Sequence, residues 1–382
     1  MSAEQALKFL GIRSQTLYAN VSRGRIRAKP DPKDARRNLY NGQDIERLTQ
    51  RRAGRRSAET VAGQAIGWGD PILASGISTV AAGRLWYRGC DAVQLAEHAT
   101  LEEIADLLWQ AGPVTTGLVS RAKTNMRGAP ENRMLVAMSA RVATDPPSLG
   151  RSPAVLKSEA QSLLSALSHA TLGAVGHADR PLHARLAAAW RKRAANDVLR
   201  RALVLLADHE LNASTFAVRV AASTGASLSA CLLAGLATLT GPLHGGAARA
   251  LRFLLGNARQ IGATNAVREW LARGEPLPAF GHPLYPQGDP RAIALMRQFK
   301  LSPMFAEMRT AAEGLTGDQP NVDFALAAMA DAHGLPEHAP FVIFALSRSV
   351  GWMAHALEQV ATGQIIRPRA RYVGPALVKE TA

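Results

Sequence analysis

From Val220 to Ala248 the chain runs 29 residues without Asp, Glu, Lys or Arg. A run of that length must either cross a membrane, which takes about 20 apolar residues, or be buried on every side inside a large core. This one is rich in Ser, Thr and Gly, carries no Trp or Tyr, and closes on Gly241-Pro-Leu-His-Gly-Gly246. Membrane spans have stronger Leu/Ile/Phe content and aromatic anchors, so the run reads as buried helix in a soluble core. A core that encloses such a helix needs a sizeable domain. The chain has 382 residues and is 47% hydrophobic, which suffices and excludes disorder as its main description. At roughly 100–200 residues per domain, two or three compact units are expected.

Strand signals are scarce and aromatics are only 5%. Ala, Leu, Arg and Glu dominate Glu159–Leu172, Ala187–Ala207 and Phe341–Gln359, and these are good helix formers. Gly and Pro clusters punctuate the helical stretches at 112–113, 145–153, 241–246, 276–290 and 317–320. The expected fold is nearly all-α, with helices of about 10–20 residues. Two cysteines, Cys90 and Cys231, are too few for a disulfide framework or a thiolate zinc site. They fit a reducing cytoplasm, and the start of the chain reads as no secretion leader.

Charge is unevenly spread. Residues 1–58 hold 14 Lys+Arg and 5 Asp+Glu, a net of +9, out of +15 for the whole chain. This head reads as a separate unit. Ser2–Gly11 forms a short helix ending at glycine, and Ser14–Gly24 a second helix with Ser14 as N-cap. Arg23, Arg25, Arg27 and Lys29 make a basic run, and Asn41–Leu48 reads as a third helix. Two helices meeting through a tight turn are the helix-turn-helix pattern. The head resembles MerR/excisionase-like helix-turn-helix domains through Ala6-Leu-Lys-Phe-Leu-Gly-Ile-Arg-Ser-Gln-Thr-Leu-Tyr18 and Leu39-Tyr-Asn-Gly-Gln-Asp-Ile-Glu-Arg-Leu48. That resemblance implies base contacts by Ser14, Gln15, Thr16 and Tyr18, and phosphate contacts by Arg23, Arg25 and Arg27. The competing reading is a protein-docking module with a solvated basic face.

In the body, His209, His244, His282, Asp323 and His355 stand in unusual local settings. His244 and His282 are flanked by glycine, which lets backbone and ligand approach closely. An imidazole there serves as acid, base or donor near neutral pH. Metal binding is the weaker option: neither His-x3-His nor Cys-x-x-Cys spacing occurs, and His209-Glu210 lacks the next-turn His of a zincin. Arg291, Arg348 and the Arg367/Arg369/Arg371 group add guanidinium forks, which grip carboxylates bidentately and keep their charge. Several forks beside histidines suit a small polycarboxylate.

Taken in order, Gly83–Gly89, Leu101–Trp109, Ala207–Phe216, Gly241–Gly246, Phe280–Tyr285, Asp289–Arg291, Pro320–Asp323, Arg348–Gln359 and Arg367–Arg369 resemble the citrate synthase family over about Gly63 to Gly374. The resemblance implies an all-α homodimer whose subunits each have a large and a small domain. Domain boundaries follow as 1–57 for the basic head, 58–243 for the first part of the large domain, 244–335 for the small domain, and 336–382 for the return segment and tail. It also implies condensation of acetyl-CoA with oxaloacetate, then thioester hydrolysis to citrate and CoA, with no metal or other cofactor. Asp323 would abstract the acyl α-proton, His244 would hydrogen-bond the enol, and His282 would protonate the oxaloacetate carbonyl. His209, Arg291, Arg348 and Arg367 would hold the oxaloacetate carboxylates, Arg367 coming from the partner subunit.

The chain departs from the family in three ways. The stretch from about Gly128 to Pro153 is short and lacks a His-Pro block, the head lies outside the pattern, and the CoA-binding loops have only Arg252, Arg259 and Arg268 as candidates. Two alternatives stand beside the leading reading: a 2-methylcitrate synthase using propionyl-CoA, and a DNA-binding metabolite sensor that kept the fold and a carboxylate site. Asp323, His244 and His282 weigh against the sensor, because sensing needs no base.

Overall fold

The computed structural model describes residues 1–10, 16–17, 21, 26, 28–31, 34–42, 44–45, 73–114, 128–172, 180–370 and 372–375. The chain divides into two compact units, Met1–Ala74 and Ser75–Ala382.

In the first unit, helix α1 (Ala3–Leu10) is followed by the antiparallel hairpin β1 (Ala28–Asp31) and β2 (Asp34–Tyr40). Ala6, Leu10, Leu17, Ile26, Tyr40 and Ile45 form its small core. Residues 16–17 and 42, 44 and 45 are helical, within the second and third expected helices. The hairpin is a departure from the sequence expectation. Strand β2 reads Asp-Ala-Arg-Arg-Asn-Leu-Tyr, with no β-branched residue and no apolar alternation, so periodicity could not find it. Of the expected nucleic-acid contacts, Thr16 is exposed. Ser14, Gln15, Tyr18, Arg23, Arg25 and Arg27 lie outside the described residues.

The second unit opens with a small antiparallel sheet, β3 (Ser78–Ala81), β4 (Arg84–Tyr87) and β5 (Cys90–Asp91). Helices follow: α2 (Ala92–Leu95), α3 (Leu101–Trp109), α4 (Pro130–Val142), α5 (Pro153–Leu172), α6 (Leu182–Ala189), α7 (Asn196–Leu205), α8 (Ala213–Ser223) and α9 (Leu228–Leu239). After these come α10 (Ala247–Ile261), α11 (Ala263–Ala272), α12 (Pro290–Met296), α13 (Pro303–Thr316), α14 (Val322–Ala332) and α15 (Ala339–Thr362). Local chemistry sets many of the ends. Thr100 and Glu103 form a reciprocal capping box at α3, and Asn212 and Ser227 cap α8 and α9 through their side chains.

The uncharged run therefore holds the end of α8, the whole of α9 and the start of α10, broken at Thr224–Ser227, where Gly225 takes a positive φ, and again at the 240–246 loop that carries His244. No helix among the described residues is long and apolar enough to cross a membrane. Helix α9 buries Leu228, Cys231, Leu232, Leu236 and Leu239 instead, each large side chain contributing about 1.5–3 kcal/mol of transfer free energy.

Two hydrophobic clusters fill the unit. The larger surrounds α15, whose residues Val342 to Ala356 are almost all buried. The smaller is built by α10, α11, α13 and α14, from Leu251 to Ala328. Helix α14 belongs to both, giving Phe324 and Ala328 to the smaller and Ala325, Leu326 and Met329 to the larger. The first turn of α14 thus stands where the two cores meet, and it carries Asp323.

Helix α15 approaches the loop after α7 so closely that a Cβ on Gly351 would lie 2.2 Å from Asp208 Oδ1 and 2.4 Å from the Ala207 carbonyl oxygen. The carbonyl is held by Gly351 N, which donates to it at 3.0 Å, and the Asp208 carboxylate is held through its other oxygen by Ser78 and His355. Gly351→Ala is expected to cost about 1–3 kcal/mol, the usual cost of overpacking, read as a lowered thermal midpoint.

Candidate active site

Three loops and one helix start carry four of the polar residues singled out above. His209 sits between α7 and α8, His244 between α9 and α10, His282 between α11 and α12, and Asp323 at the start of α14. Backbone pairing ties two of these together. Gly281 N donates to Gln319 O at 2.8 Å and Asn321 N to Ala279 O at 3.0 Å. Asn321 Nδ2 adds a bond to Gly281 O at 3.1 Å. The turn bearing His282 and the turn launching Asp323 are therefore one bridged structure. It borders a cavity of about 440 Å³ lined in part by His282, Tyr285, Asp289 and Asn321.

Asp289 is the keystone, and sequence reasoning gave it no role. It N-caps α12, accepting from Arg291 N at 3.0 Å, and its other oxygen accepts from Val322 N at 3.1 Å, the first residue of α14. Arg291 pairs with it through Nε at 2.9 Å and Nη2 at 2.7 Å. Burial opposes both charges, but their mutual attraction outweighs it, holding Asp289 low and Arg291 high in pKa. The available signal was the Asp-Pro-Arg pattern itself, an N-cap followed by proline at N1.

Arg348 is almost fully buried on α15. Its Nε donates to Leu206 O at 2.9 Å, and its guanidinium carbon lies 4.7 Å from the Phe344 ring centre. Burial lowers its pKa to about 10, with Asp208 resisting the shift. It stays cationic at neutral pH while its terminal nitrogens make no hydrogen bond among the described residues, the state of a fork prepared for an anion.

The three site histidines are neutral. Burial, then Arg348, lowers His244 to about 4, and burial, then Arg291, lowers His282 to about 4. Burial, with Arg291, Arg348 and His282, takes His209 well below its ordinary value. His282 Nδ1 accepts from Leu284 N at 3.2 Å, so its single proton rests on Nε2, which makes that nitrogen a donor. His244 Nε2 lies 2.8 Å from Ser214 Oγ. That oxygen also accepts from Trp352 Nε1 at 3.1 Å and lies 2.7 Å from Asn212 Oδ1. Ser214 gives its one proton to Asn212 Oδ1, so the neutral His244 ring carries its proton on Nε2 and donates it to Ser214 Oγ; a ring N–H is freed for a ligand when that bond is exchanged. The side chain of Asp323 makes no hydrogen bond among the described residues. Burial raises its pKa to about 6, against Arg291 and Arg348 and with Asp289.

His209, His282, Arg291 and Tyr285 form one packed group. The two imidazole centres are 5.2 Å apart, and Tyr285 Oη lies 2.9 Å from His209 Nε2. His355 belongs to a buried support instead: its Nε2 meets Asp208 Oδ2 at 3.2 Å and its Nδ1 meets Arg219 Nη1 at 3.3 Å. Arg367 lies in the exposed segment after α15 and joins none of these groups within one chain. Of the basic candidates for CoA, Arg252 pairs with Glu337, while Arg259 and Arg268 are exposed. No group of three or more His, Cys, Asp or Glu suited to a metal occurs among the described residues. The arrangement combines a carboxyl base, neutral donors, the open fork of Arg348 and the remaining Nη1 of Arg291, whose Nε and Nη2 are held by Asp289, which suits proton abstraction beside a bound carboxylate.

Known proteins agree with this architecture. The family model described as "Citrate synthase, C-terminal domain" matches residues 67–369. "2-Methylcitrate synthase" of Shewanella oneidensis is 31% identical over 338 residues, covering 76% of this chain and 88% of that protein. "Citrate synthase 2" of Bacillus subtilis is 37% identical over 190 residues, 47% of this chain, and the matched region spans about half (51%) of that relative's length. Among solved structures, citrate synthase from Thermotoga maritima superposes with a TM-score of 0.66 at 26% identity, over 82% of this chain and 96% of that one. The chain belongs to the citrate synthase family.

Proposed function

We propose that the protein condenses an acyl-CoA, acetyl-CoA in the first instance, with oxaloacetate to give citrate and CoA. The observation that carries this reading is the unpaired Asp323 carboxyl, with a pKa raised to about 6, in the same electrostatic neighbourhood as Arg291 and Arg348. The carboxylate of Asp323 removes the α-proton of the thioester, while His244 donates a hydrogen bond to the thioester oxygen. The nucleophilic carbon attacks the ketone carbon of oxaloacetate, and Nε2–H of His282 passes its proton to the ketone oxygen, the ring being reprotonated at the cost of the proton that Asp323 took up, so that His282 ends neutral and Asp323 ends as the carboxylate. His209, Arg291 and Arg348 hold the two carboxylates, and Arg367 of a second copy completes the grip in a homodimer with a shared site. Water then hydrolyses the citryl thioester, releasing CoA. Residues 244–335 act as the small domain that closes over the substrates and excludes water. Every step uses side chains alone, so neither metal nor prosthetic group is needed.

A specific observation favours a second reading. One relative, matched over 88% of its own length, is a 2-methylcitrate synthase, which points to propionyl-CoA. One methylene in a pocket is worth only about 1–3 kcal/mol, so a handful of contacts decides between the two acyl groups. Oxaloacetate-dependent release of CoA thiol, measured in parallel with acetyl-CoA and propionyl-CoA, assigns the substrate by the larger kcat/KM, and mass spectrometry identifies the product.

For the head we propose a helix-turn-helix-like domain that contacts duplex DNA and makes the enzyme a metabolite-linked regulator in the cytoplasm. Its net charge of +9 over residues 1–58 supports this. Deleting residues 1–56 is expected to leave condensation intact and to abolish salt-dependent DNA binding. Equal DNA binding by the truncated protein refutes the assignment.

A further inference from the structure

Tyr285 stands where three segments of the site meet, and it follows His282 by three residues. It is 3% exposed. Its hydroxyl lies 2.9 Å from His209 Nε2, and its ring centre lies 4.9 Å from that of His282 and 5.6 Å from that of His209. The Arg291 guanidinium carbon is 5.5 Å from the same ring centre. Its backbone is equally committed: Tyr285 N donates to His282 O at 2.8 Å, and its carbonyl accepts from Gly288 N at 2.9 Å. The first bond closes the turn bearing His282, and the second leads the chain into the Asp289 cap of α12.

We propose that Tyr285 is a positioning residue for dicarboxylate recognition, its hydroxyl fixing the ring orientation of His209 while its ring packs against His209, His282 and Arg291. This rests on the reading of His209 and Arg291 as carboxylate ligands. The terminal torsion of a histidine is broad and nearly two-fold, so an unpartnered imidazole presents either edge to a ligand. A partner on one nitrogen selects the edge and determines which nitrogen carries the proton. Burial keeps the Tyr285 phenol protonated, which preserves the bond throughout the neutral range. The charged and titratable groups around His209 are Arg291, Arg348 and His282. All three disfavour imidazolium, so the ring binds as a neutral, oriented dipole, and its orientation carries the interaction.

Tyr285→Phe keeps the ring and its packing and removes only the hydroxyl. In full-length protein its oxaloacetate dissociation constant and KM are expected to rise about three- to tenfold, the scale of one net hydrogen bond. The KM for acyl-CoA stays within about twofold, and kcat falls by less. Unchanged oxaloacetate affinity in the folded variant overturns the proposal. A second readout needs no substrate. In ligand-free protein with nitrogen-labelled histidine, the His209 Nε2 resonance, assigned through His209→Gln, is expected to move between wild type and Tyr285→Phe. An unmoved resonance contradicts the proposal, because a merely structural tyrosine would lower the melting temperature without altering that nitrogen. If wild-type protein binds no oxaloacetate, the proposed function fails, and the nitrogen resonance alone decides the positioning role.

Discussion

Asp323→Asn is expected to lower kcat by about 10²–10⁴-fold, the range for loss of a positioned base, with oxaloacetate affinity nearly unchanged and with a higher melting temperature at about pH 7.5. The two effects have one cause. Asp323 stands in the first turn of α14, where a helix favours negative charge, yet burial dominates and raises its pKa from 3.8 to about 6. Between those values the folded protein holds a proton that the unfolded chain has released. Stability therefore falls as pH rises through that window, and the cost of the half-buried carboxylate is fully present above about pH 6. Asparagine carries no charge and escapes that cost. Activity runs the opposite way, because only the carboxylate accepts a proton: wild-type kcat should climb through about pH 6 and level off above it. Melting curves at about pH 5 and pH 7.5, with a kcat profile over the same range, check both signs. A variant that is inactive and also less stable at neutral pH would mean that Asp323 is part of the scaffold.

His244→Ala is expected to lower kcat by about 10²–10³-fold, since removing one preorganised donor to a developing oxyanion costs about 2.7–4 kcal/mol. His244 is neutral, held near a pKa of 4 by burial and Arg348, so in the proposed reaction it serves as a hydrogen-bond donor and delivers no positive charge. The loop holding it leaves no room for side chains around it. A Cβ on Gly245 would lie 2.0 Å from Leu239 O, and one on Gly246 2.3 Å from Pro242 O. The KM for oxaloacetate should move little, because the carboxylates are held elsewhere. Steady-state kinetics separate the two parameters, and a loss confined to KM would reassign His244 to ground-state binding.

Much of this was legible in the residues. Helices are long and cut by glycine and proline, so their existence followed from propensity and punctuation, and the break at Gly225 explains why an uncharged run need not span a membrane. His244 and His282 stood out because glycine beside histidine is costly in a helix and useful in a binding loop. Other features depend on distant partners. Asp289 becomes a keystone only when Val322 N arrives to donate to it, and Ser214 acts on His244 across 30 positions of sequence. Tyr285 reads as an ordinary core aromatic until His209 packs against it. The hairpin β1–β2 escaped because its strands lack apolar alternation and place Tyr40 in the small core. Arg367 carries no such signature at all: it lies exposed in a single chain, and its proposed role requires a second copy.

The central claim is that Asp323, His244 and His282 act on an acyl-CoA beside bound oxaloacetate. Release of CoA thiol from acetyl-CoA or propionyl-CoA by the full-length protein, with and without oxaloacetate, tests it most directly. The account predicts rapid release that requires oxaloacetate and is lost in Asp323→Asn. A folded protein that releases no thiol from either thioester, or releases it equally well without oxaloacetate, would contradict it.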